Sequence, residues 1–264
     1  NPVTRASAMA TIDKLSQPED FEGKEVGGQL YRVGKQTGTA QVIGVETERV
    51  REGPPLPFDL STLQEVCSRQ FGLDVQETLD IAQALYETHK ATTYPRSDSG
   101  YLPESMFAEV PNVIDSLIET DPALRPLVAQ LDRTQRSRAW NDAKVTAHHG
   151  IIPTLEPANL SAMSEKELAV YTLIRAHYLA QFLPHHEFDR TTARFACGGQ
   201  NLEAVGKQIV VPGWRLVLAA PEPADEDGDA GARSQVLPPL RDGLACRVGQ
   251  VDLKALKTLP PRPY

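Results

Sequence analysis

The chain has 264 residues, of which 41% are hydrophobic and 23% are charged, and its formal net charge is -8 at pH 7. This is the composition of an ordinary globular protein with about one to two domains. No apolar run approaches the roughly 20 residues of a membrane-spanning helix, and the overall negative charge does not favour nucleic-acid binding, which depends on lysine and arginine.

The N-terminal part predicts β-structure. Residues 27–50 are rich in β-branched residues in partial alternation, and they predict a hairpin that turns at residues 34–38. The proline-rich segment 51–60 ends this pattern. Asp59 or Ser61 is then a candidate N-cap for the first helix.

Two helices are predicted next, over residues 61–71 and 74–90. The second helix repeats apolar residues at helical spacing, which predicts one apolar face. This face is made of Val75, Leu79, Ala82, Leu85 and Tyr86.

The sequence TYPRSD, residues 93–98, follows the second helix and carries a phenol and a guanidinium two residues apart. Pro95 disfavours a helical backbone at Tyr94, so an extended backbone would put the side chains of Tyr94 and Arg96 on the same side. A tyrosine can act as a nucleophile and an arginine can bind phosphate through paired hydrogen bonds, so this pair fits a phosphodiester. The alternative, which the pentapeptide alone favours, is structural: Tyr94 packs at the edge of a core and Arg96 pairs with Asp98.

A basic stretch lies at residues 131–144, around Trp140. It could follow a phosphate backbone, with the indole stacking on a base. The alternative is a solvated surface loop, which is the commoner role of so few cations. The four cations are Arg133, Arg136, Arg138 and Lys144.

The sequence AHHGIIPT, residues 147–154, contains two adjacent histidines. Adjacent side chains point to different sides and make a poor metal pair, and no carboxylate or cysteine lies at ligand spacing. One histidine is then free for a structural role. The other could hydrogen-bond a phosphate oxygen or assist proton transfer.

A further helix and several strands are predicted in the C-terminal half. Ser164 and Glu167 form a predicted capping box, and the helix extends to Pro184. Its apolar face contains Leu168, Tyr171, Arg175, Tyr178 and Phe182. Strands are predicted at 186–197, 201–211, 213–220 and 244–258, and the acidic segment 221–234 is predicted to be a loop or a disordered insert.

The order of β, helical and β regions predicts an α+β fold in which a helical domain is inserted into a β-rich domain. The predicted segments are 1–56, 57–184 and 185–264, with crossings near Pro57 and Pro184. The three cysteines are far apart and form no disulfide framework, which suits a reducing, cytoplasmic compartment. Because the chain begins with Asn1, we expect it to be a segment of a longer protein.

Four segments in order resemble the bacterial type IA DNA topoisomerases of the topoisomerase III branch. They are ETHKATTYPRSDSGYLP, AHHGIIPT, MSEKELAVYTLIRAHYLAQFLP and VVPGWR, and the resemblance extends from about Glu25 to Tyr264. It implies an α+β multidomain fold. A helical, winged-helix-like domain with the nucleophilic tyrosine would be inserted into the β-rich arch domain of a toroid.

The resemblance also implies a reaction and its residues. Tyr94 would cleave single-stranded DNA through a 5′-phosphotyrosine link and let another strand pass through the gate, without ATP. Arg96 would position or neutralise the scissile phosphate, and His148 would hydrogen-bond a nearby DNA phosphate. Further DNA contacts are expected from Lys90, Thr93 and Asp98, and from Arg133, Arg136, Arg138 and Lys144 of the basic stretch.

Part of the implied machinery lies outside this chain. In the family, a preceding Toprim domain holds Mg²⁺ and supplies the acid/base groups, and no metal site is expected within these 264 residues. Because an unactivated phenol is a weak nucleophile, the chain alone is expected not to cleave DNA. The expected partners are single-stranded DNA and the remaining domains of the same enzyme, in the bacterial cytoplasm at the nucleoid.

Two other classes of function are open. The chain could be a non-catalytic module that binds single-stranded nucleic acid or has a structural role. It could also belong to another phosphotyrosine enzyme, such as a tyrosine recombinase or a relaxase. A tyrosine recombinase needs several widely spaced catalytic arginines and histidines, and a relaxase needs a histidine cluster that binds a metal. Neither pattern is evident in the sequence.

Overall fold

The computed structural model describes residues 21–26, 29–197, 199–218 and 235–250. The chain divides into two compact units, each made of segments that are separated in sequence. The first unit comprises residues 1–49, 189–208 and 224–264, and the second comprises residues 50–188 and 209–223. Helices and strands are both present, so the expected α+β class is confirmed.

The strands form one sheet. They are β1 (Phe21–Val26), β2 (Gln29–Glu52), β3 (His186–Cys197), β4 (Gln200–Val211) and β5 (Ala245–Gln250), in the order β1-β2-β3-β4, with β5 also paired to β2. β1 and β5 pair antiparallel with successive parts of β2, whose 24 residues are long enough for both. Ion pairs such as Arg49 with Asp189 and Glu48 with Arg190 join β2 to β3.

The predicted hairpin turn at residues 34–38 is wrong. β2 runs through these residues as a strand, and its first residue, Gln29, pairs with Val26 of the antiparallel strand β1. The two glycines of this segment, Gly34 and Gly38, lie instead at a shift of register between Lys35 and Gly38, where β2 pairs with β5. A glycine inside a strand often marks such an irregularity, because it has no side chain to pack.

Two of the other strand predictions, 186–197 and 201–211, are confirmed by β3 and β4. The strand predicted at 213–220 is wrong over its described residues, 213–218, because Gly213–Leu216 form a 3-10 helix. Gly213 has a φ of 56°, which ends the extended conformation there. β5 confirms the start of the strand predicted at 244–258; its remainder, and the predicted acidic insert 221–234, lie outside the described residues.

The second unit contains the helices. They are α1 (Leu60–Phe71), α2 (Val75–Glu87), α3 (Val110–Thr120), α4 (Arg125–Val128) and α5 (Glu165–Ala180). The Asp59 side chain accepts a hydrogen bond from the Thr62 amide at 2.8 Å, so Asp59 is the N-cap of α1. The predicted capping box of Ser164 and Glu167 is also confirmed. In the described part of the chain, no helix combines the length and apolar character needed to span a membrane.

The helices enclose a large apolar core, and a second, smaller cluster contains Ala180, Leu183, Trp214 and Leu218. The largest fully buried side chains of the large core include Phe58, Leu63, Leu85, Leu102, Ile114, Tyr171, Ile174, Tyr178 and Phe182. The predicted apolar face of α2 is partly wrong: Val75 is 63% exposed and Tyr86 is 36% exposed. The buried face is Thr78, Ile81, Ala82 and Leu85, and Val75 is the first residue of the helix, where fewer neighbours can cover it.

His177, on α5, is a buried histidine that is kept neutral. Its ring centroid lies 3.9 Å from that of Phe58, and its Nδ1 donates a hydrogen bond to the carbonyl oxygen of Leu56 at 3.1 Å. Burial lowers the pKa of His177 to about 4, and the hydrogen bond to Leu56 offsets this only in part.

We expect His177 to make the second unit less stable in mild acid. An unfolded histidine binds a proton near pH 6.5, whereas folded His177 does so only near pH 4. The free energy of unfolding therefore falls between these pH values as pH decreases, by roughly 3 kcal/mol in all. Urea unfolding at several pH values measures this slope. His177→Gln should flatten it and His185→Gln, at an exposed histidine, should not; an equal slope in His177→Gln would contradict the assignment.

Candidate active site around Tyr94

Two segments that are distant in sequence lie side by side in the second unit. The Thr93 amide donates to the Ile152 carbonyl oxygen at 2.9 Å, and the Thr154 amide donates to the Ala91 carbonyl oxygen at 3.2 Å. The Thr93 hydroxyl donates to the Gly150 carbonyl oxygen and accepts from the Ile152 amide. Thr93 thus joins the TYPRSD and AHHGIIPT segments, and the two motifs form one site.

Burial alternates along residues 94–99. The side chains at 94, 96 and 98 are exposed, and those at 95, 97 and 99 are buried. Tyr94 contacts Tyr86, and Arg96 contacts Gln83 one turn away on the same helix, α2. The expectation that Tyr94 and Arg96 share one side of the segment is therefore confirmed.

Tyr94 lies at the surface between two aromatic rings. It is 39% exposed, with its ring centroid 4.8 Å from that of His148 and 5.7 Å from that of Tyr86, which it meets edge to face. The structural alternative is wrong for Arg96, which donates to Gln83 at 3.2 Å instead of pairing with Asp98. The phenol is open to a substrate.

Asp98 is held in place from the AHHGIIPT side. Its carboxylate accepts a hydrogen bond from the Thr146 hydroxyl at 2.7 Å. This bond keeps the pKa of Asp98 below its usual range, with smaller contributions from a backbone amide and from the charge of His148. A carboxylate only accepts hydrogen bonds and repels phosphate. The location of Asp98 therefore suits contact with His148, or with a donor on a base, better than contact with a phosphate oxygen.

Lys90 links the end of α2 to this site with an unusual backbone. Its φ of 54° is in the left-handed region, which few residues with a side chain adopt. Its carbonyl oxygen accepts a hydrogen bond from the Thr154 hydroxyl at 2.6 Å, and its Nζ lies 5.9 Å from the Tyr86 ring centroid. The ammonium group is thus close to Tyr86, beside Tyr94.

The structure divides the four cations of the basic stretch into two pairs. Arg133 forms an ion pair with Asp115 at 3.1 Å, and Arg136 lies 3.7 Å from Glu104 and stacks over the Phe107 ring. Arg138 and Lys144 are exposed and, within the described residues, have no carboxylate partner. Lys144 Nζ instead donates to the Tyr101 hydroxyl at 3.2 Å.

The expected stacking role of Trp140 is wrong. Its side chain is only 7% exposed, and its ring centroid lies 4.9 Å from that of Phe107 and 6.4 Å from that of Phe182. The indole belongs to the core and cannot meet a base.

Three neighbours of the predicted residues were not identified from the sequence: Gln83, Tyr86 and Thr146. Gln83 and Tyr86 share one face of α2 with Glu87, at the spacing of three and four residues that brings side chains together. That helical spacing was the feature of the sequence from which Gln83 and Tyr86 could have been identified as neighbours of the site. Thr146 gave none, because its bond to Asp98 joins residues 48 positions apart.

The described residues do not fit a magnesium site. Mg²⁺ prefers several oxygen ligands, often carboxylates. No group of three or more histidine, cysteine, aspartate or glutamate side chains in the described ranges is arranged to hold a metal ion. No step of a mechanism can therefore be assigned to a metal bound by these residues.

Comparison with known proteins defines the class of this protein. A family model described as DNA topoisomerase matches residues 4–264, which is nearly the whole chain. The chain therefore belongs to the type IA DNA topoisomerase family of bacteria, as the four motifs indicated.

Within this family the chain is similar to proteins named DNA topoisomerase 3. It is 34% identical to that of Vibrio cholerae over 251 residues, and 36% identical to that of Pasteurella multocida over 258 residues. In each case the match covers 93% of this chain and 38% of the relative. The chain thus spans less than half the length of these relatives.

A solved structure supports the fold. Full-length topoisomerase I from Thermotoga maritima matches with a TM-score of 0.58 and 18% sequence identity. The match covers 90% of this chain and 41% of that chain. At this identity the match concerns the fold alone.

Proposed function

We propose that this chain is the segment of a bacterial DNA topoisomerase that carries the nucleophile, Tyr94. The observation that supports this most directly is the arrangement of three exposed side chains. The Tyr94 phenol and the Arg96 guanidinium face α2 on one side of an extended segment, and the His148 ring lies 4.8 Å from the Tyr94 ring. A nucleophile and two potential phosphate ligands thus meet at one surface.

The proposed reaction is a reversible transfer of a phosphodiester bond. The Tyr94 hydroxyl gives up its proton as its oxygen attacks the phosphorus, the bond from phosphorus to the 3′ oxygen breaks, and this oxygen takes up a proton, so no net proton is consumed. The 5′ phosphate remains joined to Tyr94. Because the new ester retains the energy of the old bond, the 3′ hydroxyl can restore the strand after another strand has passed, without ATP.

Arg96 and His148 are proposed to act on the scissile phosphate. A guanidinium carries several donors in one plane, which matches two phosphate oxygens and stabilises charge that develops during attack. His148 lies against the Tyr94 ring and can donate a hydrogen bond to an adjacent phosphate. Lys90, Thr93 and Asp98 are proposed as DNA-binding neighbours, although the Thr93 hydroxyl is already bonded to the protein.

The activating groups are proposed to lie in a Toprim domain of the same enzyme, with Mg²⁺ as its cofactor. The described residues around Tyr94 include no metal site, and no carboxylate contacts the phenol among them. We therefore propose that the chain alone binds single-stranded DNA weakly and does not cleave it. The other domains of the enzyme are its proposed partners, in the cytoplasm.

The proposed architecture follows the family. Residues 57–184 would be the helical, winged-helix-like domain, and residues 1–56 and 185–264 would be the two parts of the arch domain. The sheet of β1–β5 and the helices α1–α5 are compatible with this division.

A trapping experiment tests the proposal. This chain is mixed with the Toprim-containing piece of the same enzyme, Mg²⁺ and a single-stranded oligonucleotide, and denaturant then traps any adduct. A label at the 3′ end should remain on the protein, a label at the 5′ end should appear in a released fragment, and peptide mapping should locate the adduct at Tyr94. If the two pieces associate and bind DNA but form no adduct, the chain is a non-catalytic binding module.

We expect the cations of the basic stretch with and without a carboxylate partner to differ in DNA binding. Lys144→Ala should weaken the affinity for single-stranded DNA about fivefold, the upper effect of an exposed ion pair of ~1 kcal/mol. Arg133→Ala should have a smaller effect, because Arg133 is already paired with Asp115. Fluorescence anisotropy at one salt concentration compares the two variants, and equal losses would contradict the distinction.

A further inference from the structure

Gln83 connects Arg96 to the helix beside it. Its Oε1 accepts a hydrogen bond from Arg96 Nη2 at 3.2 Å, and its Nε2 donates to Glu87 Oε1 at 2.9 Å. Gln83 and Glu87 are one turn apart on α2, so the helix fixes the position of both. A chain of three side chains thus leads from the rigid helix to the guanidinium.

The two neighbours determine the orientation of the Gln83 amide. A guanidinium has only donors and an ionised carboxylate has only acceptors. The amide oxygen must therefore face Arg96 and the amide nitrogen must face Glu87. Only an amide offers both groups in one plane, so neither glutamate nor a hydrophobic residue can make the same two contacts.

The contact with Gln83 leaves the charge of Arg96 uncompensated. Within the part of the chain that the structure describes, Arg96 has no carboxylate at salt-bridge distance. Only one of its five donors is bonded to Gln83, and the remaining donors can meet an anion. A glutamate in place of Gln83 would hold Arg96 equally well but would compete with that anion.

We propose that Gln83 is a positioning residue that holds the Arg96 guanidinium ready for a DNA phosphate without neutralising it. This inference rests on the proposed function for the identity of the anion, a phosphate of single-stranded DNA. It assigns a task to a residue outside both sequence motifs.

Two substitutions of Gln83 test separately that it positions Arg96 and that it leaves the charge of Arg96 available. Gln83→Glu keeps a hydrogen-bond acceptor for Arg96 but adds a negative charge, so Arg96 should pair with the protein and lose its phosphate. Gln83→Ala removes the acceptor and leaves the charge, so Arg96 should still reach a phosphate but from a less ordered position.

Helix α2 offers a matched control at Gln76. Its Nε2 donates to Asp80 Oδ1 at 2.7 Å, which repeats the glutamine and carboxylate spacing of Gln83 and Glu87 without an arginine. Gln76→Glu therefore adds the same charge to the same helix and the same repulsion between carboxylates. Comparison of Gln83→Glu with Gln76→Glu therefore corrects for the added charge and for the repulsion between the two carboxylates.

The experiment measures the affinity of the intact enzyme for a fluorescent single-stranded oligonucleotide across a range of NaCl concentrations. All proteins carry Tyr94→Phe so that only binding is observed, and urea unfolding shows that each is folded. Gln83→Glu should make the plot of log affinity against log salt shallower by about 0.7, the value for one phosphate on a single strand. Gln76→Glu should leave the slope unchanged. Gln83→Ala should lower the affinity severalfold with the slope unchanged.

A double-mutant cycle tests whether the effect acts through Arg96. Arg96→Ala should itself reduce the slope by about 0.7, and adding Gln83→Glu should then change it no more than adding Gln76→Glu does. The inference is overturned if Gln83→Glu and Gln76→Glu are equivalent, if the effect of Gln83→Glu persists in Arg96→Ala, or if the Tyr94→Phe protein does not bind the oligonucleotide. These slopes do not depend on cleavage, so failure of the trapping experiment would be a separate result.

Discussion

Tyr94→Phe is expected to abolish the covalent trapping of DNA by the intact enzyme. Phenylalanine keeps the ring contacts with His148 and Tyr86, at centroid distances of 4.8 Å and 5.7 Å, but lacks the oxygen that would attack phosphorus. The affinity for single-stranded DNA should therefore change little, whereas the adduct should disappear. Denaturing electrophoresis with a 3′-labelled oligonucleotide measures the adduct directly.

Tyr86→Phe is the matched control for this substitution. Tyr86 is also exposed at the surface, at 36%, and lies edge to face against Tyr94, so it is the other phenol that a DNA strand could reach here. We expect the adduct to survive in Tyr86→Phe. An adduct that persisted in Tyr94→Phe and vanished in Tyr86→Phe would transfer the proposed role to Tyr86.

Gly100→Ala is expected to cause the second large effect, a loss of stability in the second unit. A Cβ atom at Gly100 would lie 2.5 Å from the carbonyl oxygen of Pro57 and 3.3 Å from Cβ of Leu56. Because the nearer atom belongs to the backbone, relief of this contact must move a chain segment. Overpacking of this kind costs about 1–3 kcal/mol, and we expect a value at the upper end.

Gly100 lies at the base of the candidate site, so its substitution should affect activity as well as folding. A Cβ at the facing residue, Gly150, would lie 3.0 Å from Pro57 and 3.1 Å from the Gly100 carbonyl oxygen. A side chain at Gly100 would thus displace the Pro57 segment, and one at Gly150 would crowd both that segment and the Gly100 backbone. Displacing these segments should separate Tyr94 from His148.

Urea unfolding and adduct formation measure the two consequences of Gly100→Ala. Gly53→Ala is the control, since a Cβ there would meet only His185 Nε2, at an ordinary 3.9 Å. We expect Gly53→Ala to retain both stability and adduct formation. Equal stability of the two variants would show that the Pro57 segment moves away at little cost.

Local chemistry predicted the helices and their starts better than the sheet. Asp59 and the pair of Ser164 and Glu167 act on backbone amides within three residues, so their capping roles could be identified from sequence. The 3-10 helix at residues 213–216 could not be predicted from the sequence. The Trp214 indole donates to the Glu52 carbonyl oxygen at 2.8 Å, and its amide donates to that of Pro184, so distant segments determine the conformation.

The same distinction applies to the candidate site. The shared orientation of Tyr94 and Arg96 follows from an extended backbone over three residues, and it could be predicted. The contacts of Gln83 and Thr146 depend on how the helix and the two motif segments pack. Trp140 was wrongly predicted to be exposed, because its neighbours in sequence are basic. In the fold, Phe107 and Phe182 pack against its ring.

The alternation of burial along residues 94–99 separates the side chains available for chemistry from those that hold the segment in the fold. Substitutions at the exposed positions 94, 96 and 98 alter what the surface does with little consequence for folding, while those at the buried positions 95, 97 and 99 alter folding first. Chemistry and stability therefore depend on different residues of one short peptide. The exposed positions 94, 96 and 98 could therefore be varied in an engineered protein while the buried positions, and with them the fold of the segment, are kept.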